Sequence, residues 1–264
     1  MDLQIKDKIF LVTGGAKGIG ESISLAIAEE GGIPVVVGRS REKGNQLVQT
    51  LREKGREAYA IHKELGSSDS CREVVEEVMR VYGKLDGLIN NAGANDGVGL
   101  ENGSPEAYLK SLEKNLHHYY FLGHYALPAL KKSRGSILNI SSKTALTGQG
   151  GTSAYAAAKG AQLAFTREWA VELLRYGIRV NAIVPAEVMT PLYRAWINTF
   201  DQPDEKLREI EQRIPLGNRM TKAQEIADMA VFLLSERAAH ITGQYLFVDG
   251  GYVHLDRSLS VLNS

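Results

Sequence analysis

The chain has 264 residues, of which 44% are hydrophobic and 23% are charged, a composition typical of a globular protein with a sizeable core. Lys plus Arg and Asp plus Glu both number 31, so no excess of charge favours a nucleic acid or a membrane surface as partner. The single cysteine, Cys71, excludes an intrachain disulfide and fits a reducing compartment. The polar N-terminus and the lack of a long apolar run predict no signal peptide and no membrane span, so we expect a cytoplasmic protein.

A short apolar strand and a glycine-rich turn come first along the chain. Residues 9–13 are β-formers that stop at the segment Gly14–Gly20 (GGAKGIG), and a helical pattern follows over 21–30. The glycines allow a tight turn, and the N-terminus of the helix offers N–H groups to a pyrophosphate. This context predicts a dinucleotide site, with a plain glycine-rich turn as the alternative.

The second predicted strand, over 33–37, ends near a cation. An acidic residue there would bind the ribose hydroxyls of the adenosine, but the chain has Arg39, and Lys17 lies inside the glycine segment. Two cations near the ribose suit a 2′-phosphate, so NADP is favoured over NAD. The alternative is that both are ordinary solvated loop residues.

The next elements predict further ligand-binding residues at the carboxyl ends of strands. A helix over 40–54, a strand over 57–62, a helix through Tyr82 capped by Ser68 or Asp69, and a strand over 85–90 follow in order. Glu64, after the third strand, is a candidate for the adenine rim or for the plain surface. Asn90-Asn-Ala-Gly93 ends the fourth strand, where open α/β sheets bind ligands, although an asparagine-rich turn is the alternative.

A helical region from Ser104 to about Lys132 contains Asn115 and the pair His117-His118. Adjacent residues diverge on a helix and no third ligand is evident, so packing is favoured and no metal site is predicted. The fifth strand, over 136–140, delivers Ser142 at its carboxyl end.

Tyr155 and Lys159 lie four positions apart at the start of an alanine-rich helix that runs to about Tyr176. Their spacing places them on one face, about one turn apart. A phenol has an unperturbed pKa of about 10. A nearby ammonium favours the phenolate, so we expect Lys159 to lower the pKa of Tyr155 into the range of proton exchange with an alcohol. Ser142 could hydrogen-bond the same substrate oxygen.

The last third of the chain completes an alternating pattern. A strand over 178–184, a helix over 223–234 and a strand over 244–248 are predicted. Between them, residues 186–220 break the pattern and predict a substrate lid, a binding loop or short helices. The alternation predicts the α/β class: one doubly wound Rossmann domain over 1–264, with a mostly parallel seven-stranded sheet and helices on both faces.

In combination, these motifs resemble the short-chain dehydrogenase/reductase family over essentially the whole chain. The resemblance implies an NAD(P)-dependent oxidoreductase acting on CH–OH groups, often a homotetramer, with a small-molecule partner. It rests on Thr13-Gly14-x-x-x-Gly18-x-Gly20, Asn90-Asn91-Ala92-Gly93, Asn115, Ser142, Tyr155-x-x-x-Lys159 and Asp249-Gly250-Gly251.

The resemblance implies roles for four catalytic residues. Tyr155 would be the general acid/base and Ser142 its partner at the substrate oxygen. Lys159 would lower the pKa of Tyr155 and bind the nicotinamide ribose, and Asn115 would order a proton-relay water next to Lys159.

The resemblance also implies contacts with the cofactor, which with the two cations above gives the following set: Gly14, Lys17, Gly18, Ile19, Gly20, Arg39, Glu64, Asn90, Ala92, Gly93, Tyr155, Lys159, Pro185, Val188 and Thr190. Two positions depart from the family pattern. Pro185-Ala186 stands where Pro-Gly is usual, and alanine should fit if that backbone needs no positive φ. Glu64 stands where an aspartate is common, which puts its adenine contact in doubt.

Polar residues near the predicted cleft suit a polyol or sugar better than a steroid or acyl chain. With Ser142 and Tyr155, the candidates for substrate binding are Asn95, Lys143, Glu187 and Trp196; a solvated rim is the alternative.

At finer grain, three segments are similar to the L-fucose dehydrogenases of the family, which oxidise the anomeric carbon of an aldose to a lactone. They are Asn139–Thr144, Pro185–Tyr193 and Phe247–Arg257. A ketone or 3-oxoacyl reductase and a catalytically dead nucleotide sensor are the other hypotheses. The tail from Tyr252 to Ser264 is long enough to reach a neighbouring subunit.

Overall fold

Seven parallel strands form the central sheet of the computed structural model, which describes residues 1–255 of the chain. The strands in chain order are β1 (Ile9–Thr13), β2 (Ile33–Gly38), β3 (Tyr59–His62), β4 (Gly87–Asn90), β5 (Ser136–Ile140), β6 (Arg179–Pro185), β7 (Val188–Met189), β8 (Thr221–Lys222) and β9 (Tyr245–Val248). The sheet order is β3-β2-β1-β4-β5-β6-β9, and β7 pairs with β8 in a separate two-stranded sheet. The expected seven-stranded Rossmann sheet is confirmed, and each neighbouring pair in it is parallel.

Helices cover both faces of this sheet. They are α1 (Gly18–Glu29), α2 (Arg41–Glu53), α3 (Ser68–Tyr82), α4 (Pro105–Leu112), α5 (His118–Ser133), α6 (Ser153–Leu173), α7 (Pro191–Ile197), α8 (Pro203–Glu211) and α9 (Ala223–Leu234).

Strand β1 shows how the sequence builds two core layers. All five of its residues are buried, and successive side chains point to opposite faces. Leu11 joins a cluster with residues of α3, α5 and α6, whereas Phe10 and Val12 join a cluster with residues of α1 and α9. The continuous apolar run in β1 therefore reflects a strand that is covered on both sides.

Most predicted elements agree with the structure. The bounds of β1, β5 and α9 are those predicted, because apolar runs end there at glycine, at polar residues or at a cap. The predicted cap of α3 is wrong: Ser67, and neither Ser68 nor Asp69, accepts the hydrogen bond from the Ser70 N–H.

Two helical regions differ from the predicted pattern. The single region expected over 104–132 is interrupted by a π-helical turn over Glu113–His117. The irregular stretch 186–220 contains β7 and the short helices α7 and α8. Short helices were one of the alternatives predicted for this stretch.

The topology brings distant residues to one edge of the sheet. From β1 the chain moves outward to β2 and β3, and it then returns to the other side of β1 to form β4. Ligands bind at such a reversal, beyond the carboxyl ends of the strands. The ends of β1, β4, β5 and β6 place Gly14, Asn90, Ser142 and Pro185 at this edge.

Cys71 lies in the core, on α3. Its side chain is fully buried, and burial raises the pKa of the thiol to about 11. Within residues 1–255, no helix is both long and apolar enough to cross a bilayer. The predicted reach of the C-terminal tail toward a neighbouring subunit lies, beyond residue 255, outside the described residues.

Candidate active site

The glycine segment between β1 and α1 forms a close-fitting turn. Gly14 and Gly18 have positive φ values of 63° and 56°, which glycine adopts without strain. A Cβ at Gly20 would lie 2.3 Å from the Gly14 carbonyl oxygen, so no larger residue fits there. Helix α1 begins at Gly18 with no side chain capping its first N–H groups. These features fit the pyrophosphate of a dinucleotide, which such N–H groups bind.

The turn after β4 is tied to the end of β1 by Thr13. The Thr13 hydroxyl accepts N–H bonds from Asn91 at 2.8 Å and Ala92 at 3.0 Å, and the Asn91 amide donates to the Thr13 carbonyl at 2.9 Å. Asn91 is therefore a positioning residue, which the sequence motif contained without singling it out. Asn90 instead turns into the sheet, where its amide donates to Asn139 at 3.0 Å.

Asn115 supports the next part of the same turn. Its Oδ1 accepts the Ala94 N–H at 2.8 Å and would lie 2.8 Å from a Cβ at Gly93. Gly93 has a φ of 149°, so its backbone passes where a side chain would collide. The structure thus brings Ala92, Gly93 and Asn115 together along one wall of the cleft.

Thr190 closes the cleft from the other side. It is the N-cap of α7, where its hydroxyl accepts the Tyr193 N–H at 3.2 Å. Its Cγ2 would lie 3.2 Å from a Cβ at Gly18, so α7 begins against the glycine segment. Ile19 is partly buried at the start of α1, whereas Val188 is buried in the core. Pro185 is the last residue of β6; Ala186 has no positive φ, as the alanine there requires.

The two cations proposed for a 2′-phosphate lie in different surroundings. Arg39 donates to Glu64 at 3.3 Å, and both side chains are largely exposed. Lys17 is exposed and forms no ion pair with any described residue. Such an exposed pair contributes little to stability, so Arg39 can exchange Glu64 for a phosphate at small cost. The contact with Glu64 was not anticipated.

Tyr155 lies in the first turn of α6, opposite the short 3₁₀ helix that follows Ser142. Burial raises the pKa of Tyr155 to about 12; a hydrogen bond with Ser142 opposes this change and the charge of Asp96 adds to it. The expected lowering of this pKa by Lys159 is therefore wrong for this structure. Spacing indicated that the two residues are close, but it did not indicate how deeply they are buried.

Lys159 is buried one turn below Tyr155. Its Nζ lies 5.5 Å from the centre of the Tyr155 ring and donates to the Ile140 carbonyl at 2.7 Å and to Gln162 Oε1 at 3.1 Å. Burial lowers the pKa of Lys159 to about 7. Gln162 was not predicted from the sequence, because no spacing motif singles it out.

Beside Ser142, Lys143 and Glu187 form an ion pair whose side chains are 9% and 12% exposed. Glu187 also accepts a hydrogen bond from the Tyr193 hydroxyl at 2.8 Å. Burial and the negative charge of Glu187 raise the pKa of Tyr193 above its usual range. The Lys143 ammonium lies 4.1 Å from the centre of the Tyr252 ring. The structure therefore joins two predicted substrate residues and adds two tyrosines to them.

Asn95 and Trp196 are not drawn into this ion-pair cluster. Asn95 is exposed, and its Oδ1 accepts the N–H of Gly97 within its own turn. Trp196 is 45% exposed and packs edge-to-face between Tyr193 and Phe200. Its ring thus belongs to an aromatic cluster formed by α7 and the segment that follows it.

The His118 side chain is packed in the protein interior. It is buried, its Nε2 lies 3.2 Å from the Ala92 carbonyl oxygen, and burial lowers its pKa to about 4. Among residues 1–255, no group of His, Cys, Asp and Glu side chains is arranged to hold a metal ion. The chemistry that the described groups support is proton exchange at Tyr155, beside a polar cluster.

A family model described as enoyl-(acyl carrier protein) reductase matches residues 14–253. The L-fucose dehydrogenase of Bos taurus is 36% identical over 252 residues, which is 95% of this chain and 91% of the relative. The 3-oxoacyl-[acyl-carrier-protein] reductase FabG of Thermotoga maritima is 34% identical over 95% of this chain and 100% of the relative.

Among solved structures, the Cj0485 dehydrogenase is similar over nearly the full length of both chains. Its TM-score is 0.93 at 50% sequence identity, and the match covers 98% of this chain and 99% of that one.

Proposed function

The chain belongs to the short-chain dehydrogenase/reductase family, and we propose that it oxidises the anomeric hydroxyl of an aldose similar to L-fucose to the lactone. NADP is the preferred cofactor in this proposal. An aldose dehydrogenase and a ketone or 3-oxoacyl reductase both move a hydride between a CH–OH carbon and a nicotinamide. The two functions therefore differ in the substrate that the cleft accepts.

The observation that carries the proposal is the buried ion pair of Lys143 and Glu187 next to Ser142. Burying two charges is costly unless they are paired and hydrogen-bonded, and an apolar substrate would have no use for them. A sugar presents several hydroxyls, each able to donate to a carboxylate and accept from an ammonium. The hydroxyl groups of an aldose therefore suit this wall of the cleft better than a hydrocarbon does.

Three residues manage the proton and the charge in this proposal. Tyr155 accepts the proton of the anomeric hydroxyl, and the Ser142 hydroxyl donates to the oxygen as negative charge develops. Lys159, with a pKa of about 7, is partly protonated at neutral pH and supplies positive charge nearby. A nicotinamide dinucleotide bound along the glycine segment would accept the hydride.

The preference for NADP rests on Lys17 and Arg39. Lys17 is exposed beside Gly18, and Arg39 follows β2, where the adenosine ribose binds in Rossmann folds. Fluorescence titration of the purified protein with NADPH and NADH tests this preference. We expect tighter binding of NADPH, and clearly tighter binding of NADH would contradict it.

A substrate panel tests the proposed substrate class. L-fucose, related aldoses, cyclic alcohols, ketones and 3-oxoacyl thioesters are compared by kcat/KM at one cofactor concentration. We expect aldoses to lead, and inactivity on every aldose would refute the proposal. The relationship to a 3-oxoacyl reductase supports a second candidate, a ketone or 3-oxoacyl reductase, which leads the panel if the proposal is wrong.

The variant Glu187→Gln tests in the same substrate panel whether Glu187 recognises the sugar. The change removes one charge and one strong acceptor for sugar hydroxyls, and hydrogen bonds to charged groups contribute about 1.5–3 kcal/mol. We expect kcat/KM to fall about tenfold or more for the best aldose, while an alcohol with a single hydroxyl is affected less. An equal loss on both substrates would mean that Glu187 does not recognise the sugar.

The proposal extends to the setting of the enzyme. We place it in the cytoplasm, supported by a single, buried cysteine. We also propose a homotetramer, supported by exposed apolar side chains on α5 and α6, where Tyr120 is 52% and Val171 is 68% exposed. The segment 186–220, which carries Thr190, Tyr193 and Trp196, is proposed as the substrate lid.

A further inference from the structure

Gln162 connects two of the four predicted catalytic residues. It lies on α6 one turn after Lys159 and is fully buried. Its Oε1 accepts from Lys159 Nζ at 3.1 Å, and its Nε2 donates to the Asn115 backbone carbonyl at 2.7 Å. We propose that Gln162 is a positioning residue of the reaction, which holds the Lys159 ammonium in place and couples it to the backbone of Asn115.

The bonding of Asn115 makes Gln162 the direct link to Lys159. The Asn115 amide donates to the Ser111 carbonyl at 3.0 Å, and its Oδ1 accepts from Ala94. The family resemblance implies a water between Asn115 and Lys159, but here the Asn115 carbonyl accepts from the Gln162 amide. A carboxamide donates and accepts hydrogen bonds without ionising near neutral pH. Gln162 therefore fixes Lys159 and does not carry its proton away.

The hydrogen bonds of Lys159 explain how Gln162 acts on its charge. An ammonium has three donors, and the acceptors are the Ile140 carbonyl at 2.7 Å, Gln162 Oε1 at 3.1 Å and the Tyr119 hydroxyl at 3.5 Å. Burial disfavours the charged lysine, whereas each acceptor favours it. Removing the Gln162 acceptor should therefore shift Lys159 further toward its neutral form.

The ionisable side chains that face Lys159 do not titrate near neutral pH. Tyr119 and His118 approach from α5, and Tyr155 lies on the same helix as Lys159. Burial raises the pKa of Tyr119 well above its usual value and lowers that of His118 to about 4, so both are neutral near pH 7. Burial raises the pKa of Tyr155 to about 12. A titration near neutral pH therefore reports Lys159 itself.

The test compares Gln162→Met and Gln162→Glu with wild type by NMR. Protein labelled with ¹³C-lysine is titrated, and the Lys159 Cε signal is assigned by its loss in Lys159→Arg. Methionine keeps the volume but removes the acceptor, so we expect the midpoint to fall by about one pH unit. A carboxylate beside the ammonium should raise the midpoint by about one unit or more.

Thr166→Val is the matched control. Thr166 is buried one turn further along α6, accepts from Asn139 at 2.9 Å and donates to the Gln162 carbonyl at 2.9 Å. Its hydroxyl is not among the described acceptors of Lys159 Nζ, which are those given above. We expect Thr166→Val to lower the melting temperature while leaving the Lys159 midpoint at its wild-type value.

The inference rests on the proposed oxidoreductase function, but the NMR titration does not require turnover. Opposite shifts in Gln162→Met and Gln162→Glu, with the pH dependence of kcat moving with each midpoint, support it. Wild-type midpoints in both variants overturn it and leave Gln162 a core residue. Failure of the wild-type enzyme on every substrate of the panel would count against the proposed function alone.

Discussion

Tyr155 shows how burial decides the behaviour of a single residue. Its phenol shares a helix face with Lys159, as the spacing predicted, yet its pKa is raised to about 12 because the ring is desolvated. The sequence predicted that Lys159 lies near Tyr155, but it did not predict that the phenol is desolvated. Gln162 and the hydrogen bond from Tyr193 to Glu187 were not predicted for a related reason: side-chain contacts leave no periodic signal in a sequence.

Tyr155→Phe removes the hydroxyl to which we assign proton exchange, while it keeps the ring. We expect turnover to fall by about a hundredfold or more, because general acid/base catalysis contributes at least that much, whereas NADPH affinity stays nearly unchanged. Initial rates and fluorescence titration measure the two effects. Tyr59→Phe is the matched control, since Tyr59 lies on β3 and donates to Glu77 on α3. Full activity of Tyr155→Phe would refute its role.

The pKa values give the direction of the pH dependence. Tyr155 must lose its proton to act as a base, and its pKa is raised to about 12, so the rate of alcohol oxidation should rise with pH from about 7 to about 10. Reduction needs the protonated phenol and should not rise over this range. Steady-state rates in both directions, at saturating cofactor, measure this difference. Loss of the Lys159 charge near pH 7 acts on both directions, so an oxidation rate that rises no more steeply with pH than the reduction rate would contradict Tyr155 as the base.

The strands and long helices were predictable and the π-helical turn was not, whereas for the 186–220 segment the sequence predicted short helices only as one of three alternatives. Strands covered on both faces require continuous apolar runs, and helices such as α9 need a long amphipathic stretch. Helices α7 and α8 are short and partly exposed, so neither leaves a strong apolar pattern. The residues of the π-helical turn at Glu113–His117 show no sequence preference that would distinguish it from an ordinary α-helix.

Glu225 stabilises the start of α9. It accepts the Lys222 N–H at 2.8 Å and pairs with Arg219 through two contacts. Hydrogen bonds from Arg219 and from the Lys222 backbone lower its pKa to about 2. A carboxylate whose pKa is lowered in this way stabilises the fold above its ordinary pKa of 4.5, and this stabilisation is lost as the pH falls toward about 2.

Glu225→Ala should therefore destabilise the protein in a pH-dependent way. The pair is partly exposed, so we expect a loss of about 1 kcal/mol at pH 7, or about 2–4 °C in melting temperature. The difference from wild type should shrink between about pH 4.5 and about pH 2. Glu101→Ala, in an exposed loop, is the control. A deficit of the same size at all pH values would show that the charge is not involved.

At the scale of the whole molecule, strand order explains why residues far apart in sequence meet. The parallel sheet brings the ends of β1, β4, β5 and β6 to one edge, and a sequence that predicts the order also predicts this meeting. The ion pair of Lys143 and Glu187 could not be predicted in the same way. Sequence placed both residues at the edge, but the pairing depends on the path of the chain after β6.

The proposed homotetramer can be tested on the full chain. Light scattering should give a mass of about four times the 28.9 kDa of one chain. Tyr120 is half-exposed and packs against His124 and Phe165, so Tyr120→Glu should reduce the mass by placing a charge on that surface. Leu100→Glu, in an exposed loop, should not. A monomeric wild-type protein would contradict the proposal.

The burial of Cys71 makes the protein convenient for site-specific labelling. A fully buried thiol with a raised pKa reacts slowly with maleimides, and the chain has no other cysteine. A cysteine introduced on α7, as in Leu192→Cys at a side chain that is 61% exposed, would be the single fast-reacting position. A fluorophore attached there would report in real time whether the segment 186–220 moves when a nucleotide or a sugar is added.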